Sequence, residues 1–256
     1  MTNAAVVDAQ PMPAVELGAD ADDIFRGHAR VVVTQAERAK GSEVDAFSVA
    51  PEAAPDEPFL FLRETSEENW RLCCTPCHAY ELRARGDAAG PVLLEMSKPW
   101  HWCSSPWPVF THPLVCACAA IATACLAEPA VAEVADADGA LGIVRDDPRL
   151  WMRCEGAVSA VSADGSDAFA LGPKGLWRMA WCCGVLRGAV ERSTVSARDA
   201  LGGAGGKVAR LPVTCREWAT KTNCVLVDFG DVRDARRRKL LFASALLFQR
   251  HFWDRQ

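Results

Sequence analysis

The chain has 256 residues, half of them apolar, and a formal net charge of -5 at pH 7. It is long enough to bury a full core in one or two domains, and its acidic balance excludes a global attraction to nucleic acid or anionic lipid. Twelve cysteines would indicate disulfides in a secreted protein. Residues 1–25 lack the basic start and apolar run of a secretory signal, so we expect a reducing cytoplasm and no nucleic-acid partner.

The first residues differ in composition from the rest of the chain. Residues 1–19 are rich in Ala, Pro and acidic residues and show little periodicity, which predicts a disordered tail followed by one folded domain over residues 20–256. From residue 23 to about 228, short apolar or alternating segments are separated by turn residues. Residues 80–85, with the sequence YELRAR, alternate in this way, and the pattern predicts antiparallel sheet.

Three hairpins are predicted from turn residues. They cover residues 79–96, 131–145 and 156–171, each with a glycine beside an aspartate in the turn. Their spacing favours a barrel or a sandwich. The glycine-rich run at residues 202–206 departs from the phosphate-loop spacing at both ends, so we expect a flexible connection between strands and no nucleotide.

The end of the chain reads as a helix. Asp231 is expected to cap a helix over about residues 231–253, and residues 240–248 are apolar on every side. A helix that is apolar all round must be buried in protein or lipid. This run and the run at residues 114–127 are shorter than the roughly 17 to 25 residues of a spanning helix, which favours a soluble or peripheral protein with the helix threaded through a barrel.

Several short motifs occur in a fixed order along the chain. They are NWRLCCTPCHAYELR at 69–83, KPWHWC at 98–103, GP at 172–173, WCCG at 181–184, GKV at 206–208, REW at 216–218, and Asn223 before the apolar helix. In order and spacing they resemble the phospholipid scramblase family over about residues 20–253.

This resemblance implies the tubby-like fold, a closed antiparallel β-barrel of about twelve strands that encloses a C-terminal hydrophobic helix. It also implies ATP-independent, bidirectional movement of phospholipids between membrane leaflets, which is not bond chemistry. The expected location is the cytoplasmic face of a membrane, the plasma membrane first, with phospholipids as partners.

A basic stretch before the apolar helix is the predicted membrane contact. Cations in such a position can hold anionic headgroups, at roughly 1 kcal/mol per residue, beside an inserting segment. The alternatives are an ordinary solvated charged face and a nuclear-targeting signal. The predicted lipid-contact residues are Arg236, Arg237, Arg238, Lys239, Leu240, Leu241, Phe242, Leu246, Leu247 and Phe248.

The resemblance also implies membrane attachment through palmitoylated cysteines. Four cysteines lie in the corresponding region, and the alternative is that they are core residues: Cys103, Cys116, Cys118 and Cys125. Three nearby tryptophans, Trp100, Trp102 and Trp107, suit either a bilayer interface or core packing.

The family places an acidic calcium loop immediately before the terminal helix. Here the corresponding residues 220–231 offer only Asn223, Asp228 and Asp231 as oxygen ligands, whereas Ca2+ needs six to eight oxygens with several charged. We therefore predict weak or absent Ca2+ binding. The alternative interpretation of the segment is a strand that leads into a capped helix.

Two other cofactors fit parts of the sequence. The residues CTPCH at 74–78 match a haem-attachment pattern, but haem is not expected because that chemistry requires export. The same residues, with His101, Cys103, Cys182 or Cys183, could form a zinc site. Two alternative functions therefore stand beside the scramblase, namely a non-transporting lipid-binding or adaptor module on the same fold and a zinc-stabilised interaction domain.

Overall fold

The computed structural model of the protein describes ten ranges of the chain, which together hold twelve strands and one helix. The described residues are 23–36, 46–64, 79–87, 89–99, 131–146, 158–165, 168–173, 194–199, 204–211 and 224–249. The strands are β1 (Arg30–Gln35), β2 (Ala46–Pro51), β3 (Leu60–Glu64), β4 (Tyr80–Arg85), β5 (Val92–Lys98), β6 (Val131–Asp136), β7 (Gly139–Asp146), β8 (Val158–Ser162), β9 (Ala168–Pro173), β10 (Thr194–Asp199), β11 (Ala204–Arg210) and β12 (Cys224–Asp228), and the helix is α1 (Ala235–Phe248).

The strands form a closed antiparallel barrel. Each strand pairs with its neighbours in sequence, and β12 pairs with β1 from Arg30 opposite Asp228 to Thr34 opposite Cys224. Among the twelve described strands, closure leaves none with an unpaired edge. The prediction of a mainly β protein, with a closed barrel of about twelve strands around a C-terminal helix, is confirmed.

The alternating pattern of the sequence becomes the inner and outer faces of the wall. In β4, Tyr80, Leu82 and Ala84 are buried, while the residues between them are partly exposed. The three predicted hairpins are present, because β4 pairs with β5, β6 with β7 and β8 with β9. Two of their turns use a glycine with positive φ, +124° at Gly139 and +70° at Gly165.

Strand register divides the barrel into two ends. We call the end that holds Arg30, Asp136 and Asp228 the near end, and the end that holds Lys98 and Cys224 the far end. The helix follows β12 and therefore enters the barrel at the near end.

The helix begins at Ala235, later than the predicted start near residue 231. Asp234 is the N-cap, and its carboxylate accepts the N–H of Arg237 at 2.7 Å. Before it, Asp228 accepts the N–H of Gly230 at 2.8 Å and forms a turn that brings the chain from the wall towards the interior. The predicted end of the helix near residue 253 lies outside the described residues, as does the predicted tail at residues 1–19.

The core is the space between the helix and the inner face of the wall. Every residue of α1 from Leu240 to Phe248 is at most 2% exposed, within one cluster that includes inward side chains of the strands. Phe25, before β1, lies with its ring 4.9 Å from the rings of both Phe229 and Phe242. The apolar stretch of α1 from Leu240 to Phe248 is thus buried on all sides, as the hydrophobic effect requires.

The glycine-rich run has a packing role that the sequence did not predict. Residues 204–206 belong to β11 and are not a flexible connection. A Cβ at Gly206 would lie 2.5 Å from Cδ2 of Leu241, and a Cβ at Gly205 would lie 2.9 Å from Nη2 of Arg237. The two glycines let this strand approach the first turns of the helix.

Candidate functional site

The near end of the barrel, where the helix enters, carries the densest set of polar contacts that the structure describes. Its central feature is an ion pair between Lys239, in the second turn of α1, and Asp136, the last residue of β6. The Nζ–Oδ2 distance is 2.6 Å, and the side chains are 3% and 5% exposed. Both charges are removed from water, so each requires the other.

Arg238 forms a second anchor beside this pair. Its Nε donates to the carbonyl of Val232 at 2.7 Å, and its Nη1 donates to the carbonyl of Phe25 at 3.1 Å and to Asp23 Oδ2 at 3.5 Å. The guanidinium also lies 5.4 Å from the ring centroid of Phe229. With its side chain 15% exposed, Arg238 is directed into the protein.

The other cations of the basic stretch are more open. The guanidinium of Arg237 is half-buried and lies 5.8 Å from the ring centroid of Phe169. Arg233 and Arg236 are exposed. Of the four cations predicted to contact lipid headgroups, the structure therefore presents Arg236 to solvent, Arg237 in part, and Arg238 and Lys239 to the protein interior.

The surroundings of these cations are acidic. Arg30 pairs with Asp228 and Glu52, both at 3.2 Å, at the same end of the barrel. Exposed carboxylates also occupy the turns and loops at this end, at Asp56, Glu57, Asp138, Asp164, Asp231 and Asp234. The run of positive charge in the sequence thus does not become a uniformly basic surface, because the fold places carboxylates around it.

The apolar residues predicted to contact lipid are all inside the barrel. They are Leu240, Leu241, Phe242, Leu246, Leu247 and Phe248, each 0–2% exposed. In this arrangement they contact the wall, and contact with a bilayer would require the helix to leave the barrel. Lipid contact by these residues stays a prediction.

A histidine lies beside the helix at the near end. His28 stacks on Phe59 with ring centroids 4.6 Å apart. Burial lowers its pKa below the ordinary value of 6.5, the positive charge of Arg238 lowers the pKa further, and Asp23 partly opposes both effects. The neutral imidazole is the favoured form in the folded protein.

Two of the three predicted calcium ligands, Asp228 and Asp231, lie in the part of the chain that the structure describes. Cys224–Asp228 forms β12, whose two ends lie about 13 Å apart at the usual rise per residue. Asp228 already accepts from Arg30 and Gly230. Asp231 is exposed, and Asn223 lies outside the described residues. Among the residues that the structure describes, no group of three or more His, Cys, Asp or Glu side chains could hold a metal ion.

Other predicted sites fall outside the described residues. These are the acylation candidates Cys103, Cys116, Cys118 and Cys125, the tryptophans 100, 102 and 107, and the haem or zinc candidates at 74–78, 101, 182 and 183. Residues 100–130 are flanked by two described strand ends. These are Lys98 of β5 and Val131 of β6, and both lie at the far end of the barrel.

Sequence reasoning missed the two carboxylates that hold the helix. Asp136 precedes Lys239 by 103 positions, and its local sequence predicts only a hairpin residue. The local sequence around Asp23 predicts only the start of the folded chain. The only available signal was an aspartate at a hairpin end in a barrel that must accept a helix bearing Lys239.

None of the helices in the described part of the chain has the length and apolar character needed to cross a bilayer. Comparison of the chain with protein-family models, with curated proteins and with solved structures finds no match.

Proposed function

We propose that this protein is a phospholipid scramblase-type protein that moves phospholipids between leaflets in both directions without ATP, at the cytoplasmic face of the plasma membrane. The observation that carries the proposal is the closed barrel of twelve strands, counted over the described residues, around an apolar C-terminal helix. This is the architecture that the motif resemblance implies. A fold alone does not fix an activity, so the proposal depends on fold and motifs together.

The mode of membrane association follows from where the apolar residues lie. The helix is enclosed, so we propose peripheral binding of the folded barrel, helped by palmitate on one or more of Cys103, Cys116, Cys118 and Cys125. One acyl chain gives marginal binding and two signals give stable binding. Release of the protein from membranes by hydroxylamine, which cleaves thioesters, is the expected result, and unchanged association after that treatment would contradict it.

The exposed arginines near the helix are the described candidates for headgroup contact. Replacing Arg233 and Arg236 together by Gln should weaken binding to anionic liposomes about tenfold or more, at roughly 1 kcal/mol per residue. The matched control replaces two exposed cations of the barrel wall, Arg63 and Lys207, by Gln and removes the same charge. Equal losses in the two double variants would show that net charge, and not the position of Arg233 and Arg236 beside the helix, determines binding.

Calcium is not proposed as a requirement. Asp228 has its carboxylate engaged by Arg30 and by the N–H of Gly230, so a cation would have to displace both contacts. Ca2+ also requires several charged oxygens around one point.

The direct test is reconstitution of the full chain into liposomes that carry fluorescent phospholipid. Dithionite quenches only the outer leaflet, so the quenched fraction reports leaflet exchange. We expect exchange without nucleotide, equal with and without millimolar Ca2+. Exchange that strictly requires Ca2+ would contradict the assignment of the segment before the helix, and absence of exchange would contradict scrambling.

A second function is favoured by a specific observation. The described part of the barrel interior is filled mainly by apolar side chains of α1 and the wall, an environment that disfavours the passage of a charged headgroup. This favours a non-transporting lipid-binding or adaptor module on the same fold. Binding to anionic liposomes with no leaflet exchange identifies that function, whereas stoichiometric zinc in the purified chain identifies a zinc-stabilised interaction domain.

A further inference from the structure

The position of α1 inside the barrel is poorly specified by its own apolar residues. Leu240 to Phe248 contact the wall on all sides, and apolar contacts are not directional. Ser244, in the middle of this stretch, donates its hydroxyl to the carbonyl of Leu240 at 2.7 Å, within the same helix. A helix whose buried stretch is mostly apolar can shift along its axis, rotate and open to water at lower cost, unless directional contacts fix it.

The first two turns of the helix make directional contacts with the rest of the protein. Lys239 binds Asp136 at the end of β6, and Arg238 binds Asp23 and the carbonyl of Phe25, just before β1. In the strand order around the barrel, β6 and β1 are five strands apart out of twelve. Two anchors that are well separated around the barrel fix both the depth and the rotation of the helix.

We infer that the buried pair of Lys239 and Asp136, opposed by Arg238, is a lock that holds α1 at one depth in the barrel and so keeps its apolar residues away from lipid. The lock itself is a property of the protein in solution. Its consequence at the membrane rests on the proposed function.

A buried ion pair has an asymmetric response to substitution, and this makes the lock testable. Removing one partner leaves an unpaired buried charge and is strongly destabilising, while replacing both by apolar residues of similar volume is often neutral or stabilising. Stability and positional specificity can therefore be separated, because an apolar pair restores the first without supplying a directional contact.

The experiment compares four variants of the full chain: Asp136→Asn, Lys239→Met, the double variant Asp136→Leu with Lys239→Met, and the control Glu52→Gln. Glu52 belongs to an exposed pair with Arg30, with side chains 45% and 52% exposed. Thermal unfolding gives Tm, and native-state hydrogen exchange gives the protection of residues 240–248. No lipid is present.

We expect each single variant of the buried pair to lower Tm by roughly 6–20 °C and to accelerate exchange over residues 240–248. The double variant should recover the wild-type Tm yet exchange at least about tenfold faster than wild type over the same residues. Glu52→Gln should change neither quantity, because exposed pairs contribute little.

A double variant that recovers both Tm and protection would overturn the lock, since the two charges would then only compensate each other and would not fix the position of the helix. Single variants without effect would overturn it as well. The charge-reversed variant, Asp136→Lys with Lys239→Glu, tests the same point by restoring an ion pair. It should recover the protection of residues 240–248 that the apolar double variant lacks. A charge-reversed variant with the wild-type Tm but without this protection counts against the lock.

A liposome arm separates the lock from the proposed function. With the lock established in solution, the apolar double variant should bind phosphatidylserine-containing vesicles more tightly than wild type, because its helix can transfer from the barrel to the bilayer without breaking an ion pair. If vesicle binding is unchanged while hydrogen exchange over residues 240–248 is accelerated, the lock is supported and its proposed effect on lipid binding is contradicted.

Discussion

The packing of the helix against the wall can be tested at one glycine with a matched control. Gly206 in β11 has φ of +123°, and a Cβ there would lie 2.5 Å from Cδ2 of Leu241 and 2.9 Å from the carbonyl oxygen of Asp228. Gly139, in the turn between β6 and β7, has nearly the same φ of +124°, but a Cβ there would meet nothing within 4 Å. Replacing each by Ala therefore separates backbone strain from crowding against Leu241 and the Asp228 carbonyl.

The expected magnitudes follow from these distances. Both substitutions place a side chain at a φ that L residues rarely adopt, at about 1–3 kcal/mol. Gly206→Ala adds overpacking of about 1–3 kcal/mol. Leu241 can rotate away from the new methyl group, but the carbonyl of Asp228 is fixed in the ladder between β11 and β12. We expect Gly206→Ala to cost about 1–3 kcal/mol more than Gly139→Ala.

Urea unfolding of the full chain, followed by far-UV circular dichroism, measures this difference directly. Both variants should keep the wild-type dependence of free energy on denaturant, which shows that the folded and unfolded states are comparable. An equal loss in the two variants would mean that a Cβ at residue 206 is crowded neither by Leu241 nor by the carbonyl of Asp228, and the close packing of β11 at this point would be wrong.

Three further perturbations test the same structure. Phe242→Ala, at a fully buried ring, should lower the free energy of unfolding by about 3–5 kcal/mol, and Phe61→Ala, at a partly exposed ring, by clearly less in the same urea titration. Asp234→Ala should remove about 0.5–2 kcal/mol through loss of the N-cap, whereas Asp231→Ala, at an exposed turn, should stay within about 0.5 kcal/mol. Stability should fall as the pH drops through about 6.5, because the unfolded chain binds a proton at His28 more readily than the folded chain does. The variant His28→Gln should reduce this dependence of stability on pH, which is measured by comparing unfolding at about pH 7.5 and about pH 5.5.

The sign of the pH effect follows from the direction of the pKa shift. The pKa of His28 is lower in the folded protein than its ordinary value of 6.5, so the unfolded state binds more protons in the interval below 6.5. Stability therefore rises with pH across that interval and is fully present above it. A slope of opposite sign, or one that His28→Gln leaves unchanged, would contradict the placement of this ring beside Arg238.

Much of the fold was predictable because alternation and turn chemistry are local signals. Residues 80–85 show the two faces of a strand directly in the sequence, and a glycine after an aspartate located the turns at 139 and 165. The apolar run at 240–248 predicted burial on all sides, and a barrel is the simplest enclosure for one such helix. The strand that begins at Ala204 was missed, because glycines weaken local strand signals and their value here lies in contact with the helix.

The site was less predictable because its partners are distant in sequence. The basic stretch was visible, and so was the cost of placing cations at a helix N-terminus. What the sequence could not indicate is that Asp136 and Asp23 would meet Lys239 and Arg238, because those contacts depend on strand order and register around the whole barrel. Charge runs indicate a surface only when the fold leaves them exposed.

Under the proposed function, the burial of the helix limits how the protein can contact a membrane. Six large apolar side chains of α1 are removed from water, at about 1.5–3 kcal/mol each or roughly 9–18 kcal/mol together as an upper estimate. This is comparable with the whole stability of a typical domain, about 5–15 kcal/mol. Transfer of the helix into water is therefore equivalent to unfolding the barrel, and only another apolar phase could accept it. Since the lock at Lys239 and Asp136 opposes even that transfer, the folded protein is expected to meet lipid with its outer surface, and the helix to follow only where the lock is broken.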